Sequence, residues 1–306
     1  MNKTPEFQVK PWDARCSRAE MLEITQSYWK HLKATWELNE EDLGLYSGDK
    51  TDLSQNVLRF EDSEGNKVGF VGMRKFHGET ILEYAIRAEY FSSTLPQVLI
   101  EACIGFAKNK GIQNLLFHTF GPLAKPFDDV MQEKGKKIFQ YGIRMFLQDV
   151  EALNMPETPQ GITFRKIPKL DDYSHYTAVF NAANQNSFGF HPHSVEETMK
   201  EIENLRQRRD HYDHWFAYDH DVLVGICDVL VYSGHKGYIY HLAVLPAFQH
   251  RGIGSKLLGL AIKSLHNMNY MSIELGVYLS NESALRLYEN LGFKPGFMKE
   301  KVYKIL

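Results

Sequence analysis

Two hydrophobic rhythms alternate along the chain: short runs of period two that suit half-buried strands, and longer stretches of period 3.6 that suit amphipathic helices. The order of these rhythms repeats. "LRFEDSEGNKVGFVGM" (58–73) and "HWFAYDHDVLVGICDV" (214–229) both read strand, polar turn, strand, with Phe60 falling on Phe216 and Gly69 on Gly225. "ILEYAIRAEYFSSTLPQVL" (81–99) then aligns with "IYHLAVLPAFQHRGIGSKL" (239–257), Ala85 on Ala243. Each runs into an apolar-periodic helix, ending at Lys110-Gly111 in one copy and around Asn269 in the other. A strand follows ("IQNLLFHTF", 112–120; "YMSIELGVYL", 270–279), then a helix ending in Gly135 or Gly292, then "YGIRMFLQ" or "EKVYKIL". Each copy also opens alike, with "FQVKPWD" before a helical pattern near 17–33 and "ITFRKIPKLDDYS" before one at 171–184. Matched elements in one order at an offset of 156–158 residues mean duplication.

"EALNMPETPQG" (151–161), with two prolines and a glycine, reads as a linker. The expected domains are therefore 1–150 and 162–306, each α/β with helices flanking a mixed sheet. Composition narrows the function more than the fold. A hydrophobic fraction of 43% and a charged fraction of 24% describe an ordinary globular chain. The net charge of −3 is spread evenly, with no basic stripe, which argues against nucleic acid as a partner. Cys16, Cys103 and Cys227 are far apart and suit a reducing compartment; no apolar leader or bilayer-length run appears, so a cytoplasmic protein is expected.

Candidate chemistry concentrates at "LAVLPAFQHRGIGSKLL" (242–258), where a strand meets a helix through two glycines. A helix start leaves N–H groups unpaired and carries partial positive charge, and glycine lets an oxygen-rich ligand approach the backbone. "QHRGIG" resembles the Q/R-x-x-G-x-G/A loop of the GNAT superfamily of N-acetyltransferases, and "NESALRLYENLGF" (281–293) resembles that family's N-x-x-A-x-x-L-Y-x-x-x-G-F segment. The resemblance is specific over about 162–306. Over 1–150 it rests on the internal repeat, so the whole chain resembles a tandem GNAT of the mycothiol synthase type, each domain a mixed, mostly antiparallel sheet flanked by helices.

The resemblance implies acetyl-CoA as co-substrate and no metal. Backbone amides of Gln249, His250, Arg251, Gly252, Ile253, Gly254 and Ser255 would cradle the pyrophosphate, with Arg251 and Lys256 adding positive charge. The pantetheine arm would pair with the strand edge at Leu242, Ala243 and Val244, and Asn281 would contact it from the other side. Tyr288 occupies the family's proton-donor position. The base is less plain: the positions where relatives place a Glu hold Tyr240 and Tyr238. His241 titrates in the useful range, but strand alternation turns it away from the face of Tyr238, Tyr240 and Leu242. Water relayed through the tyrosines is the other route. Cys227 reads as a small hydrophobe in a core strand.

"NQNSFGFHPHSVEE" (184–197) corresponds to the segment that roofs the acceptor pocket in this family, making Phe188, Phe190, His191 and His193, with Tyr238, candidates for substrate binding. The histidines of this loop and of "HYDH" (211–214) lack an obvious third metal ligand. The implied activity is acetyl transfer by direct attack from a primary amine of a small molecule, in a monomer or homodimer. A non-catalytic acyl-CoA sensor or scaffold is the alternative. The N-terminal copy is expected to be degenerate: Phe91-Ser92-Ser93-Thr94-Leu95-Pro96 replaces the glycine loop, and Met131 stands where Tyr288 does.

Overall fold

A computed structural model describes residues 7–13, 17–31, 56–76, 79–90, 94–120, 124–151, 153–187, 190–208, 211–232 and 236–306. The chain divides into two compact units, Met1–Gly142 with Met298–Leu306, and Ile143–Phe297. The division therefore precedes the expected 151–161 linker, and the chain's last residues belong with its first copy.

Unit 1 contains β1 (Gln8–Pro11), α1 (Arg18–His31), β2 (Val57–Glu61), β3 (Lys67–Phe76), β4 (Glu79–Ile86), α2 (Leu95–Asn109), β5 (Leu115–Phe120) and α3 (Ala124–Glu133). A strand, β6, follows at Ile138–Leu147. Unit 2 continues with β7 (Ile162–Ile167), α4 (Tyr173–Asn184), α5 (Val195–Arg208), β8 (His211–Asp219), β9 (Val222–Tyr232), β10 (Lys236–Val244), α6 (Ile253–Asn267), β11 (Ser272–Tyr278), α7 (Glu282–Asn290) and β12 (Lys294–Lys304). Within unit 1 the strand order is β1-β2-β3-β4-β5-β12, and within unit 2 it is β6-β11-β10-β9-β8-β7. The end of β12 closes the unit 1 sheet against β5, from Glu300↔Phe120 to Lys304↔Leu116. The end of β6 supplies Met145 and Leu147 to the unit 2 core. β4/β5 and β10/β11 are the parallel pairs. β3 runs antiparallel to β4, β12 to β5 and β9 to β10, as in the expected mixed sheet.

Both faces of the unit 2 sheet are covered. One carries Val224, Cys227, Val229 and Ile239 against Leu257, Ala261 and Leu265 of α6 and Tyr288 of α7. The other carries Phe216, Ile226 and Leu230 against Tyr176 and Phe180 of α4 and Ile202 of α5. Side chains cap several helices. Asp172 accepts from Ser174 N at 2.7 Å at the start of α4, and Ser194 and Glu197 form a reciprocal capping box on α5 at 2.7 and 3.1 Å.

The repeated glycine pair has a steric reason in each copy. A Cβ on Gly69 would lie 2.8 Å from the Ala85 carbonyl oxygen, and one on Gly225 would lie 3.0 Å from Leu257 Cδ1. The first obstacle is backbone of the paired strand, while the second is the movable tip of a side chain. Gly69→Ala is expected to destabilise unit 1 by about 1–3 kcal/mol, and Gly225→Ala to cost less. Urea midpoints of the two variants check the order; equal midpoints would contradict it.

Candidate functional site

The glycine joint is built around a left-handed turn. β10 ends at Val244, a short 3-10 turn spans Pro246–Phe248, and Gln249 is extended. His250 and Gly252 both take positive φ, +60° and +80°. Gly252 is the N-cap of α6 and offers no side chain to cap it, so the first-turn amides face outward from a helix start with its positive end exposed. Gln249 does not reach outward: its Nε2 donates to the Val244 carbonyl at 3.0 Å and ties the loop to the strand. Arg251 is exposed over the Phe248 ring at 5.1 Å. Lys256 departs from expectation. Its Nζ donates to the Pro156 carbonyl at 2.8 Å, which fixes the 151–161 segment instead of leaving the charge at the loop.

Beside this turn the parallel ladder is short. β10 and β11 pair from Lys236↔Ser272 to Ile239↔Leu275, yet β10 runs on through Leu242 and Ala243 to Val244, and β11 to Tyr278. The strands splay where a bulge interrupts the pairing of β10 with β9 between Ile239 and His241. That bulge corrects the expected orientation of His241. The extra residue, Tyr240, breaks the alternation, so His241 lies opposite Asp228 and shares the α4/α5 face with Tyr238 and Tyr240. Leu242, opposite Cys227, goes to the α6/α7 face.

Tyr288 lies on that α6/α7 face, 8% exposed, with Phe293 at 6.0 Å between ring centroids. Burial pushes its phenol well above the usual tyrosine range, with smaller contributions from Cys227 and Tyr238. The group therefore stays protonated. Asn281 is the N-cap of α7, and its Oδ1 accepts from Ala284 N and Ser283 Oγ, both at 3.2 Å, which gives it a structural role. Tyr238 stacks on Arg144 at 4.9 Å, and its hydroxyl lies 3.3 Å from where a Cβ on Gly276 would be. Cys227 is buried and its thiol is pushed well up by burial, which leaves it inert as a nucleophile.

On the α4/α5 face His241 Nδ1 lies 3.0 Å from Asp228 Oδ2 and 3.0 Å from the Tyr176 hydroxyl. Asp228 is fully buried, and it also accepts from Tyr176, from Tyr212 at 3.1 Å and from His214 Nδ1 at 2.8 Å. Burial would push this carboxyl up. The His214 and His241 imidazoles outweigh that and hold it well below the usual carboxylate range. Burial pulls His241 down, but Asp228, with Glu201 further off, raises it above the ordinary histidine value of 6.5.

Of the residues expected to contact substrate, Phe190 and His193 lie on this face. Phe190 and His193 pack with Phe180 at 5.8 and 5.1 Å, and Phe180 lies tilted against His241 at 4.7 Å. Asn181 braces the His193 backbone through two hydrogen bonds. His191 instead points out, its Nδ1 against the Pro192 carbonyl. Phe188 lies outside the described residues, as do Phe91, Ser92 and Ser93. Glu201 of α5, 30% exposed, accepts from the Tyr240 hydroxyl at 2.8 Å and lies 3.6 Å from His193. In the "HYDH" stretch Asp213 pairs with both His211 and Lys166. Among the described residues no group of three or more His, Cys, Asp or Glu is placed to hold a metal, and no helix is long and apolar enough to cross a membrane.

Sequence reading missed Asp228 and Glu201. A lone acid inside the apolar run "GICDVLV" was the available signal, because a buried carboxylate must find several donors. Glu201 sits on a helix facing solvent and gave none.

In unit 1 the corresponding gap is filled. The β4/β5 ladder ends at Leu82↔Phe117, and Tyr84, aligned with Leu242, stacks on Phe117 at 5.1 Å and 3°. Phe127 packs on Tyr84 at 4.6 Å, and Met131 is fully buried. α2 starts at Thr94 and Leu95 with Pro96 in its first turn, a residue without an N–H donor.

Residues 176–293 match the acetyltransferase (GNAT) family, so the chain carries a GNAT acetyltransferase domain. Among curated relatives, the mycothiol acetyltransferase of Jonesia denitrificans is 29% identical over 49% of this chain and 48% of its own length. That of Renibacterium salmoninarum is 28% identical over 69% and 63%. The chain thus matches less than two thirds of the length of either. Solved structures extend the likeness in fold to the whole chain. A GCN5-related N-acetyltransferase from Sphaerobacter thermophilus superposes with a TM-score of 0.75 at 16% identity, covering 97% of this chain and 95% of that one. A tandem GNAT protein from the clavulanic acid biosynthesis pathway superposes at 0.72 and 14% identity, covering 98% of each. The architecture is that of a tandem GNAT.

Proposed function

We propose that this chain is an acetyl-CoA-dependent N-acetyltransferase of the cytosol, acting on a primary amine of a small molecule, with its working site in unit 2. The observation that carries the reading is the uncapped Gly252 turn lying next to the splayed β10/β11 edge. The turn offers N–H donors to a pyrophosphate. The edge at Leu242, Ala243 and Val244 offers a pairing surface to an extended pantetheine arm.

Acid and base then occupy opposite faces beside that gap. The acceptor arrives as an ammonium, and Glu201 with the rings of Phe180, Phe190 and Tyr240 suits a cation. His241 takes one proton from it. The amine nitrogen attacks the thioester carbonyl carbon, the C–N bond forms and the C–S bond breaks. Tyr288 gives its proton to the departing thiolate and is reprotonated as the nitrogen loses its second proton. The proton on His241 passes to solvent, so one proton is released per turnover. Tyr238 and Tyr240 stand where relatives place a Glu, and in this reading His241, on the same face, serves as the base instead.

A screen of small amines for release of the free thiol from acetyl-CoA tests the activity. Thiol release with none of them would return the sensor reading. Gly252→Val tests the cofactor site separately: a β-branched residue at φ +80° is strained by about 1–3 kcal/mol and crowds the amides. Acetyl-CoA affinity should fall by roughly tenfold or more by calorimetry; unchanged affinity in the folded variant would remove the loop from the site.

A further inference from the structure

The cluster behind His241 is larger than a core needs. It gathers a carboxylate, two phenols and a second imidazole in the interior, where every unpaired polar group is costly. Its donors and acceptors can be assigned. Arg206 Nη2 lies 3.2 Å from His214 Nε2, and a guanidinium can only donate, so that nitrogen accepts. His214 therefore carries its proton on Nδ1 and donates it to Asp228 Oδ1. Tyr176 and Tyr212 donate to Oδ2. Burial keeps both phenols protonated, their pKa values raised well above the ordinary range. What faces His241 Nδ1 is then an anionic oxygen of Asp228 and the lone pair of Tyr176, two acceptors at 3.0 Å each. Nδ1 must carry the hydrogen, and in the neutral ring the free lone pair is on Nε2.

We propose that Asp228 is a positioning residue for the acetyl transfer: it takes the Nδ1–H of His241, fixing tautomer and ring plane so that Nε2 meets the acceptor ammonium. The proposal rests on the reading of His241 as the base. It gives the buried carboxylate a task that stability alone does not require, since a buried ion pair is weak evidence for stability. The remaining charged or titratable neighbours differ in place. Glu201 and Arg206 approach from α5, His193 precedes that helix, and Tyr240 adjoins His241 on β10 with ring centroids 4.2 Å apart. The His193 and His241 rings both pack on Phe180.

The test uses the full chain. Nitrogen-detected NMR of the wild type at alkaline pH should show His241 as the Nδ1–H tautomer; an Nε2–H tautomer would overturn the proposal without any variant. In Asp228→Asn, the His241 titration midpoint should fall and kcat should drop roughly 10²-fold. That is less than the ≈10⁴ of the equivalent serine-protease change, because Tyr176 still accepts. The KM for acetyl-CoA should hold. Tyr212→Phe, which removes a donor to Asp228 without touching His241, should leave the midpoint near wild type and so controls for loosened packing. If His241→Gln abolishes turnover while Asp228→Asn moves neither kcat nor the midpoint, the positioning role fails alone. If His241→Gln leaves turnover intact, the base assignment fails and takes the proposal with it.

Discussion

Replacing Tyr288 with phenylalanine is expected to lower turnover by roughly 10²–10⁴-fold, the usual worth of a positioned proton donor, with acetyl-CoA affinity nearly intact. The ring stays, so its packing on Phe293 and its place in the α6/α7 core are kept. Only the hydroxyl is lost, and among the described residues that hydroxyl makes no hydrogen bond whose loss would disturb the fold. Because burial raises the phenol far beyond neutral pH, the wild type should show no descending limb from Tyr288 across neutral and mildly alkaline pH. The ascending limb belongs to His241, which acts when neutral. Its pKa is raised by Asp228, so the limb should lie above the ordinary 6.5 and activity should grow as pH climbs through it. Steady-state kinetics against pH on both proteins reads all of this at once. Turnover equal to wild type in Tyr288→Phe would move the acid elsewhere.

What could be read from the sequence was local. The repeat, the glycine joint and the Tyr288 segment are carried by short stretches whose spacing is set within one element, and the elements fall close to where periodicity places them: α1 at Arg18–His31 against a pattern near 17–33, β11 at Ser272–Tyr278 against 270–279. What escaped was set by pairing between distant segments. The bulge at Tyr240 arises from how β10 fits β9, and one extra residue there reverses the side on which His241 is found. The closing strands escaped for a similar reason. "YGIRMFLQ" and "EKVYKIL" are equivalent by alignment, so nothing local says that the end of β12 completes unit 1 while the end of β6 packs into unit 2. Contacts made across the fold were equally hidden: Lys256 Nζ donates to the Pro156 carbonyl, a hundred residues away. Asn281 Oδ1 caps α7 by accepting from Ala284 N.

Titration of the full chain with acetyl-CoA should give one site, abolished by damage to the 249–254 loop and unaffected by changes in unit 1. The two copies differ in what fills the space beside their parallel strand pair. In unit 2 the residues aligned with that space are Leu242, Ala284 and Tyr288; in unit 1 they are Tyr84, Phe127 and Met131. Two of these exchanges put a large ring where a smaller side chain stands. The rings are packed rather than loose: Tyr84 stacks on Phe117 and tilts on Phe127 with centroids 5.1 and 4.6 Å apart, and Tyr84, Phe117 and Phe127 are 3%, 0% and 0% exposed. Opening such a space would expose aromatic area worth roughly 1.5–3 kcal/mol per side chain, which a ligand would have to repay before binding at all. Met131 has no proton to donate, and Pro96 removes one amide from the start of α2. Tyr84→Ala in unit 1 and Gly252→Val in unit 2 make the contrast measurable by calorimetry. The first should leave a stoichiometry of one and an unchanged affinity; the second should weaken binding by roughly tenfold or more. Two equivalent sites in the wild type, or a loss of binding in Tyr84→Ala with unit 2 still folded, would place the cofactor in the N-terminal copy and end the assignment.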